Sequence, residues 1–443
     1  MNFYIESLGC AKNQVESEIM ISCLNAAGFP AAAVPEEADI IIINSCGFIK
    51  DAKRESINTV LSYRKEYPQK IIILAGCLAI RYAKDLRESL SEADAIYDSL
   101  DSAAFGMWLR DVVKKHEDGA RAISAEDMYA ARSLLSPAGS AYIKVSDGCD
   151  NRCSFCAIPL IRGKQRSRAL ENIVAECKAL VGRGVKELCL IAQDLAAYGM
   201  DIAGKSLLAE LMAHIGGIEG DFWVRLLYLH PDHFPFDILP VISNDSRMLP
   251  YFDIPFQHSS QRILRAMNRR GSLAAYLDLL TEIRRNIPGA VFRTTLLTGF
   301  PFETDFDFAM LLDFQNRASF DWLGVFTYSH EEGTAAAAFK GGRVLKKTAL
   351  ARKKALEKAQ IPITTEKLAR LTGTTARALV EKELVLPPAV CASGSRLYLG
   401  RLPCQAPEVD GAALIYSAEA LVPGAFVSGT ITGITGFDIQ MKA

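Results

Sequence analysis

The stretch Cys149-Asp150-Asn151-Arg152-Cys153-Ser154-Phe155-Cys156 places three thiols with three and then two residues between them. A tetrahedral zinc or a fully ligated cubane takes four protein ligands, and this run supplies three. Three cysteines on a [4Fe-4S] cube leave one iron open, and an open iron can bind a small molecule through its amine and carboxylate. Asp147-Gly148 before the first cysteine predicts a tight turn. Phe155 stands where it can shield a cube from water. Arg152, Arg162, Lys164, Arg166 and Arg168 crowd the same segment. Such cations offset the charge of an anionic thiolate cluster or meet an acidic substrate side chain.

The run directly follows a predicted strand over 141–145, the first of six. The others are 187–191, 223–227, 251–255, 291–297 and 322–326, with helical patterns such as 168–182 and 271–286 between most of them. Repeated β-α units make a parallel sheet or an incomplete barrel, with the active site where strands end and loops begin. Polar residues stand at those ends: Gln193-Asp194, His230, Gln257-His258, Thr298-Gly299 and Ser329-His330-Glu331. His230 and His258 read as hydrogen-bonded loop histidines, Gln257 as an amide facing a bound molecule, and Glu303-Thr304 as a helix start.

Upstream, the chain alternates strand and helix. Strands are predicted over 2–7, 38–44 and 70–75, the second with four consecutive isoleucines, Ile40 to Ile43, as in a parallel strand covered on both faces. A cysteine follows each: Cys10, Cys46 and Cys77. In open α/β sheets ligands bind outside the carboxyl ends of strands. Three cysteines at three such ends, two in Gly-Cys pairs (Gly9-Cys10 and Gly76-Cys77), read as a converging set rather than as separately buried thiols. Cys23, Cys391 and Cys404 read as structural.

Residues 116–140 lose the strand pattern and contain Ser136-Pro137-Ala138-Gly139-Ser140, an interdomain connection. The expected boundaries are an N-terminal domain at 1–120, a linker at 121–138, a second domain at 139–365 and a third at 366–443. Within the second, 340–358 is basic and helical (Lys346, Lys347, Arg352, Lys353, Lys354), either a solvated face or a surface touching RNA. The third has short strands and turn signals at Gly373, Gly394, Asp410-Gly411 and Gly424, the rhythm of a small closed barrel. Seven Lys and Arg balance seven Asp and Glu there. Its aromatics, Tyr398, Tyr416, Phe426 and Phe437, are as suited to a core as to stacking on bases.

With 443 residues, 50% hydrophobic and 23% charged, the chain reads as globular and multidomain. A net charge of −1 gives the whole-protein field no preference for nucleic acid. No basic segment precedes an apolar run, so a cytoplasmic protein without membrane association is expected. Eleven cysteines in such a chain point to metal or redox chemistry. No dimerisation segment is visible, and a monomer is expected.

Together these residues resemble the methylthiotransferase branch of the radical S-adenosylmethionine (SAM) superfamily, over essentially the full length. The Cys149 run matches the superfamily signature in residue type and both spacings. Gly9-Cys10-Ala11-Lys12-Asn13, Asn44-Ser45-Cys46-Gly47-Phe48 and Ala75-Gly76-Cys77 are similar to the branch's N-terminal domain, and 366–443 to its terminal TRAM domain. Four strings resemble the side that modifies a ribosomal protein rather than the side that modifies transfer RNA. They are Ala192-Gln193-Asp194, Tyr251-Phe252-Asp253-Ile254-Pro255-Phe256-Gln257-His258, Tyr328-Ser329-His330-Glu331-Glu332-Gly333-Thr334 and Gln405-Ala406-Pro407-Glu408-Val409-Asp410-Gly411. Two positions depart from the family pattern: Phe302, usually glycine, and His330, often proline.

The resemblance implies an α/β chain in three parts: an N-terminal open α/β sheet domain, a central partial (β/α)6 radical SAM barrel, and a C-terminal small antiparallel β-barrel (TRAM, OB-like). It implies a transferase that adds a methylthio group to the β-carbon of an aspartate in small-subunit ribosomal protein twelve. The implied cofactors are two [4Fe-4S] clusters and SAM. Cys149, Cys153 and Cys156 would hold the cluster that cleaves SAM to a 5′-deoxyadenosyl radical. Cys10, Cys46 and Cys77 would hold a second cluster carrying the sulfur, and a second SAM would supply the methyl group. Gln193, Gln257, Arg293 and Gly299 are the SAM-binding candidates, Gly299 because bare backbone lets an adenosine approach. No catalytic side chain is expected beyond the cluster ligands, because one-electron chemistry belongs to the cofactor. A reductant such as flavodoxin, a sulfur donor and contact with ribosomal RNA are the further partners implied, and the N-terminal domain is expected to bring the two cysteine trios together. Two readings compete: an enzyme that methylthiolates an adenosine of transfer RNA, and a non-catalytic ribosome- or RNA-binding metalloprotein.

Overall fold

Four isoleucines in a row can all be buried only if both faces of their strand are covered, because successive side chains point to opposite sides. In the computed structural model, which describes residues 1–113, 128–129, 131–385 and 396–443, Ile40 to Ile43 are all fully buried. Cys391, the turn at Gly394 and residues 121–127 and 130 of the expected linker lie outside the described residues. Strands β1 (Phe3–Ser7), β2 (Ile40–Ser45), β3 (Ile71–Gly76) and β4 (Ala95–Ile96) form a parallel sheet in that order. Ile40, Ile42 and Ile73 face one core with Leu24, Phe29, Phe105 and Leu109. Ile41, Ile43, Ile72 and Leu74 face the other with Val60, Leu78 and Leu86. Each such side chain contributes roughly 1.5–3 kcal/mol of burial free energy. The two-residue β4 is too short to show as a pattern in the sequence.

The described chain divides into two compact units, residues 1–135, 147–179 and 329–337 in the first, and 136–146, 180–328 and 338–443 in the second. The four-stranded sheet belongs to the first unit. So do Cys149, Cys153 and Cys156, in the loop between the short strands β6 (Ser146–Asp147) and β7 (Arg166–Ser167).

The second unit carries a six-stranded, wholly parallel sheet. Strands β5 (Ser140–Lys144), β8 (Glu187–Ile191), β9 (Trp223–Leu226), β10 (Met248–Asp253), β11 (Val291–Thr298) and β12 (Trp322–Thr327) lie side by side in chain order. The expected partial barrel of β-α units is present. Strand β10 begins three residues earlier than its pattern predicts. Pro250 hides the start, and the β9–β10 register is irregular between Met248 and Phe252, where proline has no N–H to donate. The basic helix runs Lys346–Ala369 and buries Ala349, Arg352, Leu356, Gln360, Thr364 and Leu368, a stripe three to four residues apart. Arg352 therefore leaves the proposed basic face: its guanidinium pairs with Glu303 at 3.2 Å and Asp305 at 2.6 Å.

Strands β13 (Thr375–Leu384), β14 (Arg396–Arg401), β15 (Ala413–Ser417), β16 (Phe426–Thr435) and β17 (Asp438–Lys442) close a barrel in the order β13-β14-β15-β17-β16. It is not wholly antiparallel as expected, because β15 and β17 run parallel, joined across the end through β16. Tyr398 is fully buried in its core, and Phe426 packs on Trp223 at 4.5 Å. A buried charge cluster pins this barrel to the sheet. Glu187, the first residue of β8, accepts from Arg225 at 2.8 Å and from Arg401 of β14, which also donates to Ser140 at 2.8 Å. Burial alone would push the Glu187 carboxyl up, but Arg401 and then Arg225 overcome it and hold it at about 2. Its stabilisation is therefore complete above the usual carboxylate range and is lost progressively as pH falls from that range down through about 2. Glu187→Ala strands the buried Arg225 guanidinium and leaves Arg401 with Glu381, at 2.5 Å, as its one carboxylate partner; it should lower unfolding stability by about 3–5 kcal/mol in a denaturant titration. Glu187→Gln should cost less.

Candidate active site

The three parallel strands β1, β2 and β3 end together, Ser7 opposite Asn44 and Asn44 opposite Ala75. Cys10 precedes the helix Ala11–Ala26, Cys46 follows β2 directly, and Cys77 opens the helix Cys77–Ser89. Adjacent strand ends thus bring together three cysteines far apart in sequence. The glycines beside them permit the approach. A Cβ on Gly9 would sit 3.0 Å from Cys46 Cβ, and one on Gly47 would sit 2.7 Å from the Cys77 carbonyl carbon. Gly9 also has φ +99°, where side chains are strained.

Asn13 stitches the three loops. Its Nδ2 donates to the carbonyls of Leu8 at 2.7 Å, Asn44 at 3.1 Å and Ser45 at 3.2 Å, while its Oδ1 lies 3.7 Å from Cys77 Sγ. Asn44 replies, donating to the Asn13 carbonyl and to Ser17 Oγ, both at 2.8 Å. Nothing in the local sequence around Asn13 or Asn44 assigns either one this role. The missed signal is a helix that should be half polar and exposed, yet buries Lys12, Asn13, Glu16, Ser17 and Glu18.

The second trio lies in the same unit. Gly148 has φ +73°, and the Cys149 N–H donates to the Gly163 carbonyl at 3.2 Å, closing the loop on the residues that follow it. Beyond Cys156 a short helix, Ile158–Arg162, carries Arg162 inward. Its guanidinium forks onto both Glu16 oxygens, one at 2.8 Å, and donates to Cys77 Sγ at 2.9 Å. Ala157 and Ile161 pack on Cys77 beside it. Of the five cations near the cysteine run, Arg162 is the one turned to the first trio. Arg168 pairs with Glu176 at 2.6 Å, and Arg152, Lys164 and Arg166 face solvent. A second buried arginine, Arg132, joins Glu18 at 2.7 Å to Glu176.

The donor set of each group is three thiols, the chemistry of an iron–sulfur cluster rather than of calcium or magnesium. None of the ten described cysteines is in a disulfide. Among the described residues no group of three His, Cys, Asp or Glu is arranged to hold a single metal ion. Burial pushes the Cys77 thiol up to about 11 against the pull of Arg162, and burial also raises Cys46. Loading of metal must strip those protons, so it should strengthen as pH rises. Cys23, Cys177 and Cys189 are buried apart from either trio, which fits a packing role.

In the second unit the strand-end residues take varied places. Gln193 lies partly buried just past β8. Gln257, at φ +66°, bridges to β11 through its own N–H and carbonyl, at 2.8 Å to Thr295 and 2.7 Å to Leu297. Gly299 has φ +74°; the close approach it permits is to Ala349, and its N–H donates to Glu303. Arg293, the third residue of β11, faces Asp253, the last residue of β10, at 3.2 Å and Asp410 of the 405–411 loop at 3.4 Å. His230 accepts from the Asp232 N–H at 3.2 Å, and burial lowers it to about 3, so it stays neutral. His258 accepts from the N–H groups of Ser259 and Ser260. Both are hydrogen-bonded loop histidines, as expected. Thr304 caps its helix in a reciprocal box with Asp307. Phe302 keeps the left-handed backbone (φ +71°) that a glycine would adopt freely, with its ring 5.8 Å from Phe339.

Residues 2–98 match the Uncharacterized protein family UPF0004, 143–314 the Radical SAM superfamily and 372–442 the TRAM domain. The architecture and the cysteine loop thus define a radical SAM protein with an added N-terminal cysteine-bearing domain and a terminal barrel. Among solved structures, the radical SAM methyltransferase TsrM from Kitasatospora setae, which holds cobalamin and a [4Fe-4S] cluster, superposes with a TM-score of 0.55 at 12% identity, covering 89% of this chain and 84% of that one. That likeness is one of fold. The ribosomal protein uS12 methylthiotransferase RimO of Treponema denticola is 41% identical over 98% of this chain and 99% of its own length. The RimO of Pelotomaculum thermopropionicum is 40% identical over 98% and 97%. The chain belongs to the RimO family of radical SAM methylthiotransferases.

Asn13→Ala leaves the buried Asn44 and Ser45 carbonyls a donor short. It should destabilise the first unit by about 1–3 kcal/mol. Iron assays after anaerobic reconstitution should show loss from the Cys10 trio, while the Cys149 trio still loads.

Proposed function

We propose that this enzyme methylthiolates the β-carbon of an aspartate in ribosomal protein uS12, using two [4Fe-4S] clusters and SAM. The observation that carries this reading is the presence of both cysteine trios in one compact unit, with Arg162 reaching from the loop of one to a thiol of the other. Cys149, Cys153 and Cys156 would hold one cluster, and Cys10, Cys46 and Cys77 the other. When bound, the first supplies the electron that cleaves SAM and the second holds the sulfur to be transferred. The chain's own residues arrange and protect this chemistry. Arg162 offsets the negative charge of the thiolates. Phe155, half-buried beside Cys156, limits the access of water. Gln193 and Gln257 offer amides to SAM at the ends of β8 and beyond β10, and Gly299 presents backbone. The TRAM barrel contacts ribosomal RNA, aided by Lys346, Lys347 and Lys354 on the exposed side of their helix. A small reductant such as flavodoxin and a sulfur donor complete the partners of a monomeric cytoplasmic enzyme. Among the described residues no helix is long and apolar enough to cross a membrane.

Anaerobically reconstituted wild type should hold about eight iron atoms per chain, falling to about four in the Cys10→Ala, Cys46→Ala, Cys77→Ala variant. With dithionite, SAM and uS12 it should form 5′-deoxyadenosine and a methylthiolated aspartate. Unchanged iron in the variant, or product on transfer RNA instead of uS12, would overturn the reading.

A further inference from the structure

The string Tyr328-Ser329-His330-Glu331-Glu332-Gly333-Thr334 resembles its family but has no part in the function as described so far. Its path through the chain is unusual. The polypeptide leaves the second unit after Tyr328, spends residues 329–337 in the first, and returns at Ala338. Within the first unit this strap touches both cysteine loops. The Ala336 N–H donates to the carbonyl of Ser154, between Cys153 and Cys156, at 2.8 Å. Gly333 lies against Leu160, just beyond that loop. On its other side Glu331 is 1% exposed and fully engaged. One carboxylate oxygen accepts from Lys53 Nζ at 2.7 Å and Arg81 Nη1 at 2.9 Å, the other from Ser329 Oγ at 2.7 Å. Arg81 also donates to the Gly47 carbonyl, next to Cys46, at 2.9 Å, and to the Glu332 carbonyl at 2.8 Å. Arg81 itself stands one helical turn after Cys77.

The geometry points to Glu331 as a positioning residue: through Lys53 and Arg81 it clasps the strap to the Cys46 and Cys77 loops, while the same strap holds the Cys153–Cys156 turn, so the two trios keep one spacing. A buried carboxylate with two cations and a hydroxyl around it tolerates little displacement, since loss of any contact strands a charge. Burial alone would raise the Glu331 carboxyl. Lys53, Ser329 and Arg81 together hold it below the usual range, so it stays ionised at neutral pH. The consequence for reactivity rests on the function proposed above. A radical formed at one trio is productive only when the sulfur held at the other is within reach. Loosening the clasp should leave SAM cleavage intact and waste the radicals it makes.

Glu331→Gln puts an amide N–H₂ or a weaker acceptor against Lys53 and Arg81. Arg81→Lys keeps the charge but loses the fork to Gly47 and Glu332. Both are compared with wild type in the reconstituted full chain, by two measurements. In hydrogen exchange, 329–337 and 150–157 should exchange faster in the variants, with the β2 and β3 core unchanged. In turnover, 5′-deoxyadenosine should form at near the wild-type rate while methylthiolated uS12 falls, raising the ratio of the two several-fold. Should Glu331→Gln not fold, Arg81→Lys decides. An unchanged ratio, or a parallel loss of both products, overturns the assignment even if exchange rises. A wild type that forms neither product refutes the proposed function instead, and the exchange measurement still reads the clasp.

Discussion

A buried arginine that touches a cysteine of another segment is the contact on which this arrangement depends. Arg162 lies on the short helix after the Cys149–Cys156 loop, and its guanidinium joins Glu16 and Cys77 in the interior. An ion pair taken out of water contributes little net stability, because desolvation offsets most of the attraction. What it does supply is selectivity of position. A forked guanidinium facing a carboxylate and a thiol meets all its partners in one placement, and any slippage leaves a buried charge alone. The same logic repeats at Arg132 between Glu18 and Glu176 and at Glu331 between Lys53 and Arg81. The first unit is thus held around its two cysteine trios by charges that a stability argument alone would not select.

The second unit uses the device differently. Glu187 between Arg225 and Arg401 sits at the beginning of β8, remote along the strand from the end where Gln193 follows. Anchoring the barrel at strand starts leaves the carboxyl ends to loops. A charge cluster at one end of a parallel sheet leaves the other end to loops, where the β-α topology favours binding and chemistry.

Much of this was legible in the sequence because it rests on local patterns. Four isoleucines report a strand buried on both faces, and Asp147-Gly148 reports the tight turn that opens the cysteine loop. Residues that act through tertiary contact were not legible. Arg162 is one of five cations in its segment and nothing local separates it from Arg166, yet one is buried and the other solvated. Arg352 looked like part of a basic surface because its carboxylate partners, Glu303 and Asp305, are distant in sequence. The parallel pairing of β15 with β17 depends on barrel closure, which no single strand encodes.

The central claim is that two three-thiol sites share one rigid frame. Electron paramagnetic resonance of the fully reduced, reconstituted protein tests it most directly. The account predicts a spectrum broadened by spin–spin interaction, different from the sum of spectra from variants that lack one trio or the other. A spectrum equal to that sum, with two magnetically isolated clusters, would contradict it.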